Sequence, residues 1–330
     1  MKKQKLLSLL IVSFLVLNLL AGCSNKNKKN SGEEEYKIGV IQYVQHEALD
    51  SSHEGFFDAL DDEGIKYTID DQNASGETSS CQTIAETLVN NKNDLIFAIA
   101  TPAAQAVAGV TEDIPIVVTA VTDPADAELV ESNDNPGRNV TGTSDLTPVN
   151  EQIELLKEML PDVKKVGILY CSAESNSVFQ ADIAKKACKD ADLECEEYTI
   201  SSTNEIQTVV ESMVGKIDAI CSPTDNMVAA GMATVSQVAT ENNIPIITGE
   251  SGMVEHGGLA TYGIDYYELG YEAGLMAADI LKNKKLPKDM PIRYQEKEKC
   301  KLTINKTIAS ELNIDISNYP DANIVTTKED

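Results

Sequence analysis

The chain has 330 residues, of which 42% are hydrophobic and 24% charged, and its formal net charge is −26. Coulomb repulsion makes nucleic acid and anionic lipid surfaces unexpected partners of so acidic a folded protein. The three histidines form no HExxH or Cys/His cluster, so neither a metal site nor a cofactor is predicted.

The N-terminal residues have the pattern of a secretory signal. Lys2, Lys3 and Lys5 precede fifteen largely apolar residues, Leu6 to Leu20. A membrane-spanning helix needs about 20 apolar residues, so a retained transmembrane helix is the weaker interpretation. The chain is therefore predicted to be exported.

The signal run ends at the sequence LAGC, residues 20–23, which resembles the bacterial lipobox. This resemblance implies that residues 1–22 are removed and that Cys23 is acylated; a chance cysteine at an ordinary cleavage site is the alternative. Residues 23–35 contain nothing able to join a core and are predicted to form a flexible tether. Because the signal carries three lysines and no acids, the mature chain has a formal charge of −29.

About 295 residues follow the tether, which is enough for two ordinary domains. An internal repeat supports this division, because three short β-rich segments recur at a spacing of about 130 residues, the length of a domain. The matched segments are Tyr36 to Ile41 with Lys165 to Leu169, Asp94 to Ile99 with Asp218 to Cys221, and Ile114 to Val118 with Ile244 to Ile247.

Strand and helix patterns alternate in both halves, and the strands are short apolar runs typical of strands buried on both faces. In the first half, strands are predicted near Ile38, Tyr67, Ile96 and Val117, and helices over Glu47 to Glu63, Glu77 to Asn91 and Thr101 to Val110. In the second half, strands are predicted near Val166, Cys195, Ile217 and Ile246, and helices over Ser175 to Asp190, Asn204 to Val214 and Thr224 to Glu241. A further strand, Leu259 to Tyr262, and a helix, Asp265 to Asn283, follow. This alternation predicts an α/β protein with two doubly wound parallel-sheet lobes.

The cysteines beyond Cys23 would lie outside the membrane, where disulfides are permitted. No CxxC occurs, and a chain of this size does not need disulfides for stability, so buried thiols are favoured. The sequence leaves the disulfide state open. Cys188 with Cys195 is the first pair to test. The six residues are Cys81, Cys171, Cys188, Cys195, Cys221 and Cys300.

The predicted ligand site is the crevice beyond the carboxyl ends of the strands, where helix N-termini converge. The loops there are rich in Ser, Thr, Asn, Asp and Glu and contain no Lys or Arg. A nucleotide is disfavoured because P-loop and GxGxxG sequences are absent, and a sugar has little support because the chain has no Trp.

An amino acid suits these loops better. Acidic side chains attract an ammonium group, and helix N-termini accept a carboxylate. The acidic candidates are Asp123, Asp145, Glu174 and Asp265, and the N-terminal candidates are Thr101, Ser177 and Asn226.

A family resemblance runs from about Leu17 to the segment Lys301 to Leu312. The lipobox, the tether and the ordered stretches IGVIQYVQHEALD, ATPAAQA, VTAVTDP, GTSDLTP, YCSAESNS, PTDNMVAAG and GGLATYGIDYYELG are similar to the substrate-binding lipoproteins of ABC importers. In particular they resemble the family that includes tryptophan-binding and other aromatic amino-acid-binding members. The resemblance implies a type I periplasmic-binding-protein fold, a permease with its cytoplasmic ATPase as partners, and a monomer anchored outside the membrane.

The resemblance also implies a ligand site and lobe boundaries. The residues that fall on cleft-facing motifs are Gln42, Thr101, Asp123, Ser144, Asp145, Glu174, Asn176, Ser177, Thr224, Asn226 and Asp265. His46 is followed by Glu47 where the family pattern has His-Pro, which leaves its contact role open. Lobe 1 is predicted to contain residues 36–144 and about 258–288, and lobe 2 residues 145–257 and about 289–330. The chain would then cross between lobes near residues 144–149, 256–259 and 288–293.

Most of these residues also have a purely structural interpretation. Thr101, Asn226 and Asp265 stand where helix caps are expected, as do Glu174, Asn176 and Ser177. Asp123 precedes a proline and suits a turn. Ser144 and Thr224 suit local backbone hydrogen bonds, Asp145 a hinge contact and Gln42 a solvated loop.

Two other functions compete with transport. The sequence does not distinguish a transport protein from a surface sensor that binds the same ligand. Neighbouring genes for a permease and an ATPase would favour transport. An exported hydrolase is the weaker rival, because Gly249-Glu250-Ser251-Gly252 is followed by Met253 and so falls short of GxSxG. No enzymatic activity is predicted.

Overall fold

The structure is a computed structural model that describes residues 35–328. The predicted signal peptide, Cys23 and the tether up to residue 34 lie outside the described residues. Within residues 35–328 there is no helix that combines the length and the apolar character needed to cross a membrane.

Thirteen strands and eleven α-helices alternate along the described residues. The strands are β1 (Glu35–Gln42), β2 (Lys66–Asn73), β3 (Leu95–Ile99), β4 (Ile116–Val121), β5 (Val140–Ser144), β6 (Lys165–Cys171), β7 (Glu194–Ile200), β8 (Ala219–Ser222), β9 (Ile246–Thr248), β10 (Ala260–Gly263), β11 (Arg293–Tyr294), β12 (Lys301–Asn305) and β13 (Asn323–Val325). The helices are α1 (Glu47–Asp62), α2 (Thr78–Asn90), α3 (Thr101–Ala108), α4 (Val149–Met159), α5 (Ser175–Asp190), α6 (Ile206–Met213), α7 (Asn226–Ala230), α8 (Met232–Glu241), α9 (Ser251–Glu255), α10 (Tyr266–Asn283) and α11 (Lys306–Glu311). Short 3₁₀ turns occupy Thr203–Glu205, Pro287–Asp289 and Lys297–Lys299.

The strands form two sheets, one for each lobe. The first has the order β11-β5-β4-β3-β1-β2, and all its pairs are parallel. The second has the order β13-β12-β10-β9-β8-β6-β7, with one antiparallel pair, β10 with β12. The series β4-β3-β1-β2 and β9-β8-β6-β7 have the same topology, which confirms the two α/β lobes predicted from the repeat.

Central strands are buried on both faces because helices cover each sheet. Every residue of Leu95–Ile99, Ile116–Val121 and Ala219–Ser222 is buried. This burial is the physical reason why these strands appear in the sequence as continuous apolar runs rather than as alternating patterns.

Helix α10 returns to the first lobe and packs closely along α1. A Cβ at Gly270 would lie 2.0 Å from the carbonyl oxygen of Ser52, and one at Gly55 would lie 2.1 Å from that of Tyr267. Only glycine permits this backbone approach. The glycines therefore fix the position of Tyr266, the first residue of α10.

Sheet membership corrects two of the predicted lobe boundaries. Strand β10, placed in lobe 1 by the prediction, belongs to the second sheet, because Leu259 and Ala260 are buried in the second core and β10 pairs with β12. Strand β11 belongs to the first sheet, although residues from about 289 were assigned to lobe 2. The second and third crossings thus follow residue 263 and residue 294.

Several elements differ from the sequence prediction, and the C-terminal elements β11, β12, β13 and α11 and the short helix α9 are among those that were not predicted. Strand β5 and helix α4 were not predicted; β5 has the polar sequence VTGTS, and its threonines are buried through hydrogen bonds such as that from Thr143 Oγ1 to Thr119 Oγ1, 2.9 Å. The helix predicted over Thr224 to Glu241 is divided at Gly231, where a Cβ would lie 2.2 Å from the Ile206 side chain.

Candidate ligand-binding cleft

The carboxyl ends of strands from both sheets meet in a cleft between the lobes. Three side-chain pairs span it and bring the lobes into direct contact. They are His46 Nε2 with Asn226 Oδ1 at 3.3 Å, Gln105 Nε2 with Ser175 Oγ at 3.4 Å, and Gln180 Nε2 with Thr122 Oγ1 at 3.2 Å. The lobes are therefore close together across the predicted site.

Asp145 follows strand β5 and is 5% exposed. Its Oδ2 accepts a hydrogen bond of 2.7 Å from the Tyr266 hydroxyl. Its Oδ1 is buried without a partner among residues 35–328. Burial raises the pKa of this carboxyl, because an isolated charge is unfavourable away from water. A cationic ligand group beside the carboxyl would stabilise its charged form.

Glu174 precedes helix α5 and is 1% exposed. Its Oε2 accepts a hydrogen bond from Asn226 Nδ2. Its Oε1 has no partner of suitable geometry in the described part of the chain. Burial first, and then the nearby Asp225 carboxyl, raise the pKa of Glu174.

Asp225 has a structural role beside Glu174. Its Oδ2 accepts from the backbone N–H of Cys171 at 2.6 Å, and its Oδ1 accepts from that of Val228 at 2.8 Å. Asp225 thereby caps helix α7 and ties it to strand β6. Glu174, rather than Asp225, has an oxygen available to a ligand.

Two neutral groups near the cleft also carry unsatisfied atoms. Thr101 Oγ1 and Asn176 Oδ1 are buried and lack partners within residues 35–328. Thr101 follows Ala100, whose φ of 80° lies in a region that non-glycine residues rarely adopt. Such strain is characteristic of functional sites, where it holds a side chain in a required direction.

The other predicted residues near the cleft hold the loops in place. Gln42 Nε2 donates to Val44 O at 2.9 Å and to Asp50 Oδ1 at 2.7 Å. Ser144 Oγ donates to Thr122 O at 2.6 Å, and Thr224 Oγ1 donates to Gln180 Oε1 at 2.8 Å. Ser177 Oγ accepts from Asn176 Nδ2 at 3.3 Å and also contacts the Asp225 carboxyl.

Two predicted acids have local roles and are set apart from the buried carboxyls. Asp123 Oδ1 accepts from Ala125 N, Asp126 N and Asn133 Nδ2 at 2.9 to 3.0 Å, which is the turn role that its position before proline suggested. Asp265 caps α10 by accepting from Glu268 N at 3.3 Å. Both are partly exposed.

Sequence reasoning missed Gln105 and Gln180 as cleft residues. Tyr266 was not among the predicted site residues either, and its hydroxyl donates to Asp145 Oδ2. Gln105 and Gln180 lie inside helices, so loop inspection did not include them. The available signal was an amide side chain one turn after a helix start, in the sequences TPAAQ and SNSVFQ.

Charged side chains also link the two lobes. Lys328 Nζ lies 2.6 Å from Glu47 Oε1 of the first lobe and 2.5 Å from Glu255 Oε2 of the second. A cavity of about 180 Å³ lies beside them, lined by residues of both lobes that include His46 and Glu250. Both ion pairs are partly exposed, so each contributes little to stability.

A metal site, a serine nucleophile and disulfides each require a particular arrangement of side chains. Residues 35–328 contain no group of three or more His, Cys, Asp or Glu arranged for a metal ion. Within residues 35–328, the hydroxyl of Ser251 lies 3.3 Å from Thr303 Oγ1. The six described cysteines are thiols, and the Cys188 and Cys195 side chains lie close together.

A family model for ABC transporter substrate-binding proteins matches residues 37–323. The chain belongs to this family. It is thus a substrate-binding protein of an ABC transporter, a class that works outside the cytoplasm.

Similar proteins have informative ligands and conformations. A tyrosine-binding protein of Clostridioides difficile (strain R20291) is 44% identical over 303 residues, 88% of each chain. An ABC domain from Streptococcus pneumonia in complex with L-Trp is 42% identical, covers 88% of this chain and 100% of its own, and has a TM-score of 0.85. A ligand-free, open substrate-binding protein with adhesive properties from Clostridium difficile, also 42% identical, covers 89% and 100% with a TM-score of 0.68. At equal identity, the structure of this chain is more similar to the complex than to the open form.

Proposed function

We propose that this protein binds an aromatic or large apolar L-amino acid between its lobes and delivers it to an ABC permease with a cytoplasmic ATPase. The observation that carries the proposal is the set of three buried acceptor oxygens at the cleft, Asp145 Oδ1, Glu174 Oε1 and Asn176 Oδ1, that lack partners among the described residues.

Unsatisfied acceptors require a donor, because a buried polar atom without a hydrogen bond costs free energy. An ammonium group has three N–H donors and a positive charge, so it satisfies several acceptors at once and compensates buried carboxylates. Asp145 and Glu174 supply the charge, and Asn176 supplies a neutral acceptor. The site is therefore suited to the α-ammonium group of an amino acid.

The α-carboxylate requires donors on the other side of the ligand. Thr101 Oγ1 is buried without a partner within residues 35–328 and stands at the first residue of helix α3. Free backbone N–H groups at a helix start favour an anion. Thr101 is therefore the proposed carboxylate contact.

The ligand side chain is proposed to lie near Tyr43 and Met227. Tyr43 is buried, donates from its hydroxyl to Gly76 O at 2.9 Å, and lies close enough to Glu174 for the carboxylate to raise its pKa, although burial is the larger cause. The Met227 sulfur would lie 3.2 Å from a Cβ at Gly76, so it reaches the first lobe from the second. Aromatic rings and methionine sulfur contact aromatic ligands favourably. The tyrosine and tryptophan ligands of the relatives support the same class.

Calorimetric titration of the purified protein with the twenty amino acids tests this proposal. An aromatic or large apolar L-amino acid is expected to bind with micromolar or tighter affinity, about −8 kcal/mol. Binding of a sugar or a phosphate ester, with no response to any amino acid, would reject the proposal.

Lipid anchoring at Cys23 is a separate proposal that rests on the LAGC motif and the polar tether. Cells grown with a fatty-acid analogue are expected to label the wild-type protein. Cys23→Ala should abolish the label, while Cys300→Ala, which changes a cysteine far along the chain, should retain it. Labelling of Cys23→Ala, or no label on the wild type, would contradict the anchor.

A further inference from the structure

We infer that His46 is a positioning residue that orients Glu174 through Asn226 when the lobes close, so that closure completes the ammonium site. This inference rests on the proposed function. It assigns a role to His46, whose contact role the sequence left open.

His46, Asn226 and Glu174 form a chain of two hydrogen bonds, called here the relay. The directions of these hydrogen bonds follow from the chemistry of the groups. An amide N–H can only donate, so Asn226 donates from Nδ2 to Glu174 Oε2. The Oδ1 of Asn226 then faces His46 Nε2 at 3.3 Å as an acceptor. His46 must therefore carry its proton on Nε2, and the ring donates across the cleft.

The two halves of the relay belong to different lobes. His46 ends the loop between β1 and α1 in the first lobe, and its carbonyl oxygen accepts from Asp50 N at 3.0 Å. Asn226 and Glu174 stand at helix starts in the second lobe. When the lobes separate, Asn226 keeps its bond to Glu174 but loses the donor that fixes its amide. Closure therefore couples directly to the carboxylate that receives the ligand.

The surroundings keep the His46 ring neutral. Burial lowers its pKa, and this effect exceeds the opposing influence of Asn226, Asp50 and Glu47. His256, the other imidazole facing it, also lowers the pKa. A neutral ring with a single N–H has one donor, and Asn226 Oδ1 is the acceptor that it meets.

The same loop carries a second interlobe contact at Glu47, which pairs with Lys328 Nζ at 2.6 Å. Glu47 stands where the family pattern has proline, and it begins helix α1 with His46 in extended conformation at the cap position. Two adjacent side chains of the first lobe, His46 and Glu47, thus contact residues of the second lobe.

Matched variants of His46 test the relay, with L-tyrosine and L-tryptophan as titrants. His46→Leu removes the N–H donor at similar volume and is expected to weaken binding about tenfold, the value of one buried hydrogen bond. His46→Gln places an amide N–H donor at a similar distance and should recover most of the lost affinity. Thermal melting of the ligand-free variants should stay near wild type, because each lobe keeps its own core.

A double-mutant cycle separates a relay from a direct ligand contact. In an Asn226→Ala background, His46→Leu should have little further effect, because the relay is already cut. Wild-type affinity in His46→Leu, or a full additional loss in the Asn226→Ala background, would overturn the inference while leaving the proposed function intact. A wild-type protein that binds no amino acid would reject both.

Discussion

Asp145→Asn is expected to weaken amino-acid binding about ten- to a hundredfold while both lobes remain folded. The carboxylate is buried, and its Oδ1 makes no hydrogen bond within the described residues, so a ligand ammonium would gain a charge-assisted hydrogen bond there. Such a bond contributes roughly 1.5–3 kcal/mol. An asparagine oxygen can still accept from the Tyr266 hydroxyl, so the contact with α10 survives. Calorimetric titration measures the loss.

Asp123→Asn is the matched control for this change. Asp123 has the same side chain in the first lobe, but its Oδ1 is occupied by the turn formed with Ala125, Asp126 and Asn133. Its substitution should leave the affinity for the amino acid near that of the wild type.

Solution scattering should show compaction of the wild type on saturation with ligand, since ligand contacts from both lobes favour the closed state. Unchanged affinity in Asp145→Asn, or no compaction, would count against this mechanism.

Glu174→Gln is expected to weaken binding by about a hundredfold or more and to stabilise the ligand-free protein at neutral pH. The loss of affinity follows because removing one partner of a buried charge pair costs about 3 kcal/mol or more. The gain in stability follows because the carboxyl is buried without a cationic partner among the described residues, and glutamine carries no charge to desolvate.

The pH dependence provides a distinctive signature of this second change. The pKa of Glu174 is higher in the folded than in the unfolded state, so the folded state binds the proton more tightly. The wild type therefore loses stability as pH rises from the unfolded pKa through the folded pKa. The advantage of Glu174→Gln in thermal melting should be absent at pH 4 and should grow toward pH 8.

Asp225→Asn serves as the control for Glu174→Gln. Asp225 accepts from two backbone N–H groups, and one amide oxygen cannot replace both oxygens, so this substitution should destabilise the second lobe at neutral pH. A Glu174→Gln protein that binds as the wild type does, or that is less stable at pH 8, would contradict the assignment of Glu174 as the ammonium acceptor.

The sequence alone was sufficient for the two-lobe fold. Buried parallel strands must be continuously apolar, so β1, β3, β4, β6 and β8 stand out locally, and the repeat shows that the series occurs twice. Family membership also followed from the order of short motifs, each weak in isolation. The polar strand β5 escaped detection because its threonines become buried only through partners distant in sequence, such as Met290 O for Thr141 Oγ1 at 2.6 Å.

The tertiary structure decided which polar residues form the candidate site and where the chain crosses between lobes. The sequence alone does not distinguish the four acidic candidates, Asp123, Asp145, Glu174 and Asp265. Only the neighbouring residues in the fold show which carboxyl oxygens already accept hydrogen bonds. Asp123 is satisfied by its own turn, whereas Asp145 is shielded by Tyr266, 121 residues away in sequence. Burial and hydrogen-bond satisfaction depend on contacts between distant segments. A single sequence therefore specifies the candidates, and only the folded arrangement distinguishes a cap from a ligand contact.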